Sequence, residues 1–203
     1  LSRSADAQEK NLIKLDNQIK AQNLLKFENT FFSFLNHHNN IIQQLTFTPS
    51  PAVANSNGIV KHYTSAISKT YQEVFLKDME FKDAREFLTQ KEKNTDHYFR
   101  LVYQILKFID LNYPGENNQE KFSTEQRRYS SILRASIEHR VLELIAINGA
   151  STDETPSYYS YKRIIEKSSF LEHLNFNHKI IDETKNIYSA IAFGESIYLN
   201  KQN

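Results

Sequence analysis

The stretch "RYSSILRASIEHRVLELIAIN", residues 128–148, combines an apolar helical pattern with polar residues inside it. Residues three or four positions apart share one face of a helix. The aliphatic residues of the resulting stripe are Ile137, Val141 and Ile145. Arg134 and Asn148 continue this stripe at its two ends. We therefore predict a packing helix that draws two polar side chains toward the core, where each must find hydrogen-bond partners.

The residues on either side of this stretch carry helix-end signals. Ser123 followed by Gln126 has the spacing of a capping box, in which each side chain satisfies a backbone amide at a helix start. Gly149 stands where a glycine commonly ends a helix. The sequence therefore predicts one continuous helix that begins at Ser123 and runs to Asn148.

Helical patterns extend through the rest of the chain, and helix breakers are scarce, with four Gly and four Pro in 203 residues. Fourteen Phe and eleven Tyr supply large side chains for a core, and no convincing strand alternation occurs. The other helices are predicted over residues 5–45 (as one helix or two in series), 59–79, 81–90, 96–111, 158–174 and 178–199, the last interrupted at Gly194. Loops are predicted at 46–58 and 113–121, and a linker at 150–157. We predict an all-α fold, a mostly antiparallel helical bundle of five to seven helices with an extended N-terminal helix.

The N-terminal segment divides into two parts. In residues 1–26, Leu12, Leu15 and Ile19 form a narrow seam typical of a short coiled-coil stalk, although a solvated helix docked on its own domain explains the pattern equally well. We assign this segment as a stalk and residues 27–203 as the helical domain. The second part carries a stripe of larger apolar side chains with a histidine among them, which predicts a buried helix face. This stripe consists of Phe27, Phe31, Phe34, His38, Ile41 and Leu45.

The composition narrows the function classes. A formal net charge of +1 gives no electrostatic case for a nucleic-acid or anionic-membrane surface. The absence of Cys excludes disulfides and thiolate metal sites, and no run of about 18 apolar residues predicts a transmembrane helix in this chain. His37 and His38 are adjacent and therefore point about 100° apart on a helix, which suits joint metal binding poorly. We predict no metal site and no cofactor.

Three segments, in this order, carry a family resemblance. They are the Phe-rich "FENTFFSFLNHHNNIIQQL" (27–45), the His-Tyr-Phe-Arg helix "DHYFRLVYQILKFID" (96–110), and the 128–148 stretch with its Tyr-x4-Arg-Ala pattern closing on Asn. A weaker similarity follows at "YKRIIEKSSFLEHL", residues 161–174. Together these segments resemble the phage abortive infection family of the AbiC type, a family of bacterial defence proteins. The resemblance implies a role in anti-phage defence.

The resemblance has one departure and one further implication. Where the family tends to have a polar-Leu-Ser segment after Arg-Ala, this chain has Glu138, His139 and Arg140, so no family role is carried over to these three residues. Members commonly carry transmembrane segments ahead of this domain. The resemblance therefore implies that this chain, which starts at Leu1 with a charged helical stretch, is the cytoplasmic part of a longer protein anchored to the inner membrane.

Polar residues inside the apolar helix faces are the first candidates for a site. Because buried guanidinium and amide groups need partners, we predict that several of them converge between helices. The predicted polar cluster consists of His38, Asn39, His97, Arg100, Tyr129, Arg134 and Asn148. The alternative is that these residues are scattered and separately satisfied, for example by helix-surface pairs of Arg134 with Glu138 and of Arg100 with Asp96.

Arg134 and His139 also have the Arg-x4-His outline of a metal-independent ribonuclease of the HEPN type (higher eukaryotes and prokaryotes nucleotide-binding). In such a site the His takes the proton of a 2′-hydroxyl, and the Arg stabilises the charge growing on the scissile phosphate. Positions five apart lie about 140° around a helix and do not share a face. We keep this catalytic pair as the alternative interpretation.

Our functional prediction is a soluble domain of an abortive infection protein that acts as a sensor or interaction module. We expect it to self-associate through the N-terminal helix and to meet a protein partner or a phage trigger. RNA is a partner only under the ribonuclease alternative, and the membrane only through a segment absent from this chain. A structural scaffold that couples a membrane anchor to a partner is the third class.

Overall fold

The computed structural model describes residues 2–46, 53–55, 58–60, 66–91, 93–116, 118–151 and 156–194. Within these ranges the chain forms eight α-helices: α1 (Ser2–Thr46), α2 (Ala66–Phe75), α3 (Phe81–Glu86), α4 (Lys93–Asn112), α5 (Thr124–Ala135), α6 (His139–Asn148), α7 (Pro156–Lys167) and α8 (Lys179–Asp182). A π-helical turn (Phe87–Lys91) follows α3, and two 3₁₀ turns (Glu183–Asn186 and Ala190–Phe193) follow α8. The predicted all-α class and the extended N-terminal helix are confirmed. The bundle has one helix more than the upper predicted number, because the single turn α8 counts as a helix.

Contacts between α1 and α4 fix an antiparallel pair at the centre of the fold. The ring of Phe27 stacks on Phe108 with centroids 5.1 Å apart, and His38 Nε2 lies 2.9 Å from Tyr98 Oη. As the residue number rises along α1, that of its contact on α4 falls, so the two helices run in opposite directions.

The helices α5 and α7 lie along this pair. Tyr129 of α5 packs against Phe27, with ring centroids 4.9 Å apart, while Ser136, just after α5, reaches His38, so α5 runs parallel to α1. Tyr161 of α7 packs on Tyr103, with ring centroids 5.2 Å apart. Lys167 at the end of α7 binds Asp110 at 2.5 Å, so α7 runs parallel to α4. The bundle is therefore mixed: α1 and α5 point one way, and α4 and α7 the other.

The helix α1 changes character along its length. Every side chain from Ala7 to Lys26 is exposed, and the first buried residue is Phe27. Burial thus begins at the position where the sequence predicts the stalk to end. None of the helices in the described ranges combines the length and apolar character that a bilayer crossing needs.

The predicted single helix from Ser123 to Asn148 is wrong, because the chain breaks between α5 and α6. Ser136 has φ −89° and ψ 1°, and its Oγ donates to the Leu133 carbonyl oxygen at 2.7 Å. Glu138 is extended and precedes the first residue of α6. Residues 141–148 are all buried, so α6 needs neighbours on every side. The break lets α6 enter the bundle, while α5 keeps an exposed face.

The signals at the two ends of this region are confirmed in position. Ser123 and Gln126 form the predicted capping box, with both reciprocal hydrogen bonds present. Gly149 ends α6, but at φ −78° it does not use the left-handed conformation of a typical C-terminal glycine. A glycine fits this position because there is no room for a side chain: a Cβ there would collide with Ile165 and lie 3.0 Å from Tyr188 Oη.

Three other predicted helices differ from the structure. The helix predicted over 59–79 is shorter, and residues 58–60 instead form β2 (Gly58–Val60), which pairs antiparallel with β1 (Val53–Asn55) inside the predicted loop. The helix predicted over 158–174 ends at Lys167, and Ser169 adopts a positive φ of 51°. The helix predicted over 178–199 is wrong before Gly194, because this part of the chain forms only the single turn α8 and the two 3₁₀ turns. The predicted break at Gly194 is confirmed by its φ of 54°. Residues 195–199 of the predicted last helix lie outside the described ranges.

Candidate functional site

His38 is the polar residue that the apolar stripe of α1 carries into the core, and it is fully buried. The hydroxyl of Tyr98 donates to His38 Nε2 at 2.9 Å, and Nδ1–H donates to Asn39 Oδ1 at 3.1 Å. Ser136 Oγ lies 3.5 Å from Nδ1 and donates its hydrogen bond to the Leu133 carbonyl oxygen. Burial lowers the pKa of His38, partly opposed by the hydrogen bond to Asn39. The ring is therefore a neutral, fully bonded connector between α1, α4 and the break after α5.

Arg134 is also buried, with 8% of its side chain exposed, and it joins α5 to the turns that follow α7. Its Nη1 donates to the Ser169 carbonyl oxygen at 2.9 Å, and its Nη2 donates to Glu172 Oε2 at 2.8 Å. Arg127 approaches the other oxygen of Glu172 at 3.5 Å. Burial lowers the pKa of Arg134, and the charge of Glu172 opposes that shift. The surface pair of Arg134 with Glu138, which the sequence allows, is not formed.

The other predicted cluster residues lie elsewhere. Tyr129 donates to Glu28 Oε1 at 2.8 Å, and burial raises its pKa to about 12. His97 is exposed. Arg100 is exposed and pairs with Asp96 at 2.8 Å, which confirms the predicted surface pair.

The structure thus distributes the seven predicted residues instead of joining them in one place. Among them, His38 and Asn39 share a hydrogen bond, and Arg100 and Asn148 line one cavity. The physical reason is that each buried polar group is satisfied by a nearer residue outside the set, such as Tyr98 for His38 and Glu172 for Arg134. Their part in defence stays a prediction.

Arg134 and His139, the pair of the ribonuclease alternative, lie on opposite sides of the break between α5 and α6. Arg134 points to Glu172 and Ser169, whereas His139 Nε2 lies 3.2 Å from Glu143 Oε1 on its own helix. The two side chains share no hydrogen-bond partner among the described residues. This arrangement does not aim a base and a guanidinium at a common phosphate.

Sequence reasoning missed a polar group around Glu143, a carboxylate that is 1% exposed on α6. Tyr71 Oη donates to Glu143 Oε2 at 2.7 Å and lies 3.2 Å from His178 Nε2. The guanidinium of Arg140 sits over the Tyr71 ring, 5.6 Å from its centroid. Burial and the hydrogen bond to Glu143 raise the pKa of Tyr71. The sequence did contain a signal: Glu143 interrupts an otherwise continuous apolar run. Such a run indicates a helix buried on all sides, so an acidic residue inside it must find polar partners.

A cavity of about 280 Å³ opens where α4, the end of α6 and α7 meet the π-helical turn. Its lining residues are Thr89, Asp96, Phe99, Arg100, Tyr103, Gln104, Asn148 and Tyr161. Three of the segments that carry the family resemblance contribute to it: residues 96–110, 128–148 and 161–174. Within the described residues, no three His, Asp or Glu side chains come together as a metal site requires.

The region that builds the cavity is also the region that matches a known family. Residues 90–179, which include every lining residue except Thr89, match the family described as "Putative phage abortive infection protein". This segment is similar to the abortive infection family. The match confirms the resemblance drawn from the sequence over residues 90–179, which include every segment of it except 27–45, and is consistent with anti-phage defence. No curated protein and no solved structure shows significant similarity to the chain.

Proposed function

We propose that the chain is the sensing and interaction domain of a bacterial anti-phage defence protein, that it works in the cytoplasm, and that two copies associate through α1. The match of residues 90–179 to the abortive infection family supports the defence part of this proposal. The observation that carries the association is the exposed apolar seam of α1.

This seam consists of Leu12, Leu15 and Ile19, all of which are exposed large hydrophobic residues. Their 3–4 spacing places them on one narrow face, as at the a and d positions of a coiled coil. A second helix packed on this face would remove the apolar side chains from water, and that removal drives association. Gln8 and Gln22 occupy the next d positions on either side, so the proposed contact is short.

The charges beside the seam favour a parallel pair of copies. With Leu12 and Ile19 at a positions, Glu9 and Asp16 fall at e positions, while Asn11 and Gln18 fall at g positions. In a parallel coiled coil, e residues face g residues of the second copy, so acidic groups meet neutral ones. In an antiparallel pair, e residues face each other, and acidic groups would repel. A parallel dimer therefore fits this helix better than an antiparallel one.

The experiment compares the oligomeric state of matched surface variants by sedimentation equilibrium. We expect the unaltered chain to dimerise with rising concentration, and removal of residues 1–25 to leave a folded monomer, since burial begins at Phe27. Leu15→Glu should abolish the dimer because it places a charge in the seam, while Lys14→Glu, on the same exposed helix outside the seam, should preserve it.

The same variants connect association with defence. In cells challenged with phage, we expect Leu15→Glu to lose protection and Lys14→Glu to keep it. A chain that stays monomeric up to about 100 µM contradicts the association, because weaker pairing would be negligible in a cell. If Leu15→Glu still protects cells, dimerisation through α1 has no role in defence.

A further inference from the structure

Asn148, the last residue of α6, is the exception among the buried polar residues of the predicted cluster. His38 and Arg134 have hydrogen-bond partners, whereas the side-chain amide of Asn148 makes no hydrogen bond within the part of the chain that the structure describes. The residue is only 6% exposed. Because an unpaired buried amide is costly, this group points to a bound molecule that would supply its partners.

The cavity between α4, α6 and α7 gives access to this amide, since Asn148 is one of the lining residues. The hydroxyls of Thr95 and Tyr161 are closed to solvent and have no partner among the described residues, but the Asn148 amide keeps a small accessible surface. The rest of the residue is buried, so that surface lies in the cavity. A molecule in the cavity can therefore reach both the oxygen and the nitrogen of the amide.

The lining of the cavity is electrically neutral as a whole. Its charged side chains are Asp96 and Arg100, which bind each other at 2.8 Å and are 40% and 70% exposed. A charged ligand would lose its hydration here without gaining a free counter-charge, and that loss is costly. The cavity therefore favours a neutral molecule.

Aromatic side chains set the size and shape of the space. Phe99, Tyr103 and Tyr161 line it, and the two tyrosine rings pack on each other with centroids 5.2 Å apart. No ligand can stack between rings that are already in contact, so a bound molecule meets their outer surfaces and gains by burying its own apolar surface. The volume of about 280 Å³ is at the lower limit of ligand pockets, which suits a molecule with one ring or a short chain.

From these observations we propose that the cavity binds a small, neutral primary carboxamide, whose amide group pairs with that of Asn148. The asparagine side chain places a carbonyl acceptor beside an amino donor, and a primary carboxamide presents the same two groups. When the two amides face each other, two N–H···O hydrogen bonds form together, and the apolar body of the ligand lies against the aromatic lining. The inference goes beyond the proposed function, because it concerns residues 89–161 and does not depend on α1.

The experiment titrates the full chain with benzamide and follows the side-chain amide signals of Asn148 in proton–nitrogen NMR spectra, after assignment by triple-resonance methods. We expect benzamide to shift these signals with a Kd below about 10 mM. Acetophenone and benzoate are probes of the same size. Acetophenone has a methyl group in place of the amino group and therefore forms one hydrogen bond fewer, while benzoate carries a charge. We expect each of them to bind at least about tenfold more weakly than benzamide.

The matched variants are Asn148→Leu and Asn112→Leu. Asn148→Leu should weaken benzamide binding about tenfold or more and should not lower Tm, because it removes no hydrogen bond within the described part of the chain. Asn112 lies at the exposed end of α4, donates to the Phe108 carbonyl oxygen at 3.3 Å and does not line the cavity, so Asn112→Leu should leave the affinity unchanged. If Asn148 were purely structural, its substitution would lower Tm, and the three probes would bind alike.

Three results would overturn the inference. The first is an unchanged Asn148 amide signal at benzamide concentrations up to about 10 mM. The second is binding of acetophenone or benzoate as tight as that of benzamide, and the third is an equal loss of affinity in the two variants. The probe comparison uses the unaltered chain, so it decides the question even if Asn148→Leu does not fold. None of these results bears on the dimer, whose test uses the seam variants of α1.

Discussion

The buried ion pair of Arg134 and Glu172 allows a quantitative prediction about what holds α5 to the C-terminal part of the bundle. We consider Arg134→Met, which keeps a long apolar side chain but removes the guanidinium. The change deletes the hydrogen bonds to Glu172 at 2.8 Å, to the Ser169 carbonyl oxygen at 2.9 Å and to Ser131 Oγ at 3.3 Å. It also leaves the Glu172 carboxylate without its nearest cation.

The magnitude follows from how well Glu172 remains compensated. Removing one partner of a buried ion pair costs about 3–5 kcal/mol, since the other charge is left buried and unpaired. Here Glu172 retains 20% exposure and has Arg127 at 3.5 Å. We therefore expect Arg134→Met to reduce the free energy of unfolding by about 2–3 kcal/mol, somewhat less than a fully buried pair. For a chain of this length, that corresponds to a Tm about 4–12 °C lower.

The assay is urea unfolding followed by circular dichroism, with Arg128→Met as the matched control. Arg128 pairs with Glu125 at the same distance, 2.8 Å, but both side chains are exposed to solvent, so we expect Arg128→Met to lower the free energy of unfolding much less than Arg134→Met does. Adding Glu172→Met to Arg134→Met should recover stability, because Arg127, the remaining charge, is exposed to solvent and no buried unpaired charge is left. Equal losses for Arg134→Met and Arg128→Met would refute the reasoning. Loss of phage protection by a variant that still folds would instead assign Arg134 a functional role.

Three further predictions follow from single side chains. Burial lowers the pKa of His38 below its ordinary 6.5, so protonation favours the unfolded chain. The free energy of unfolding should therefore be highest above about pH 6.5 and should fall as the pH drops toward the folded-state pKa. His38→Gln should make this fall smaller, whereas His37→Gln, at an exposed position, should leave it unchanged. Gly149→Ala should lower the unfolding free energy by about 1–3 kcal/mol in the same assay, because the new methyl group collides with Ile165, and an unchanged value would show that the neighbour yields freely. The purified chain should leave RNA intact, since Arg134 and His139 point to different partners, and RNA degradation abolished by His139→Ala would instead establish the ribonuclease alternative.

The periodicity of apolar residues was sufficient to predict the long helices. The stripe beginning at Phe27 predicted the buried face of α1, and the capping signal at Ser123 predicted the start of α5. Such patterns identify the buried face of a helix, but they contain no information about which other helix lies against that face. Tyr98, the hydrogen-bond partner of His38, is 60 residues away in sequence. Because the sequence does not show that α1 and α4 are neighbours, it could not decide whether the seven polar residues meet.

The break after Ser136 explains both the failed helix prediction and the position of the cavity. Local sequence there is compatible with a helix, so the break reflects the burial required by α6 and not a strong breaker. A helix continuing straight from Ser136 would carry Asn148 about 18 Å further along the axis of α5. Because α4 runs antiparallel to α5 and Tyr98 already lies beside Ser136 through His38, that path would lead past the beginning of α4. The turn instead brings Asn148 back beside Phe99 and Arg100, and the space left between them is the cavity.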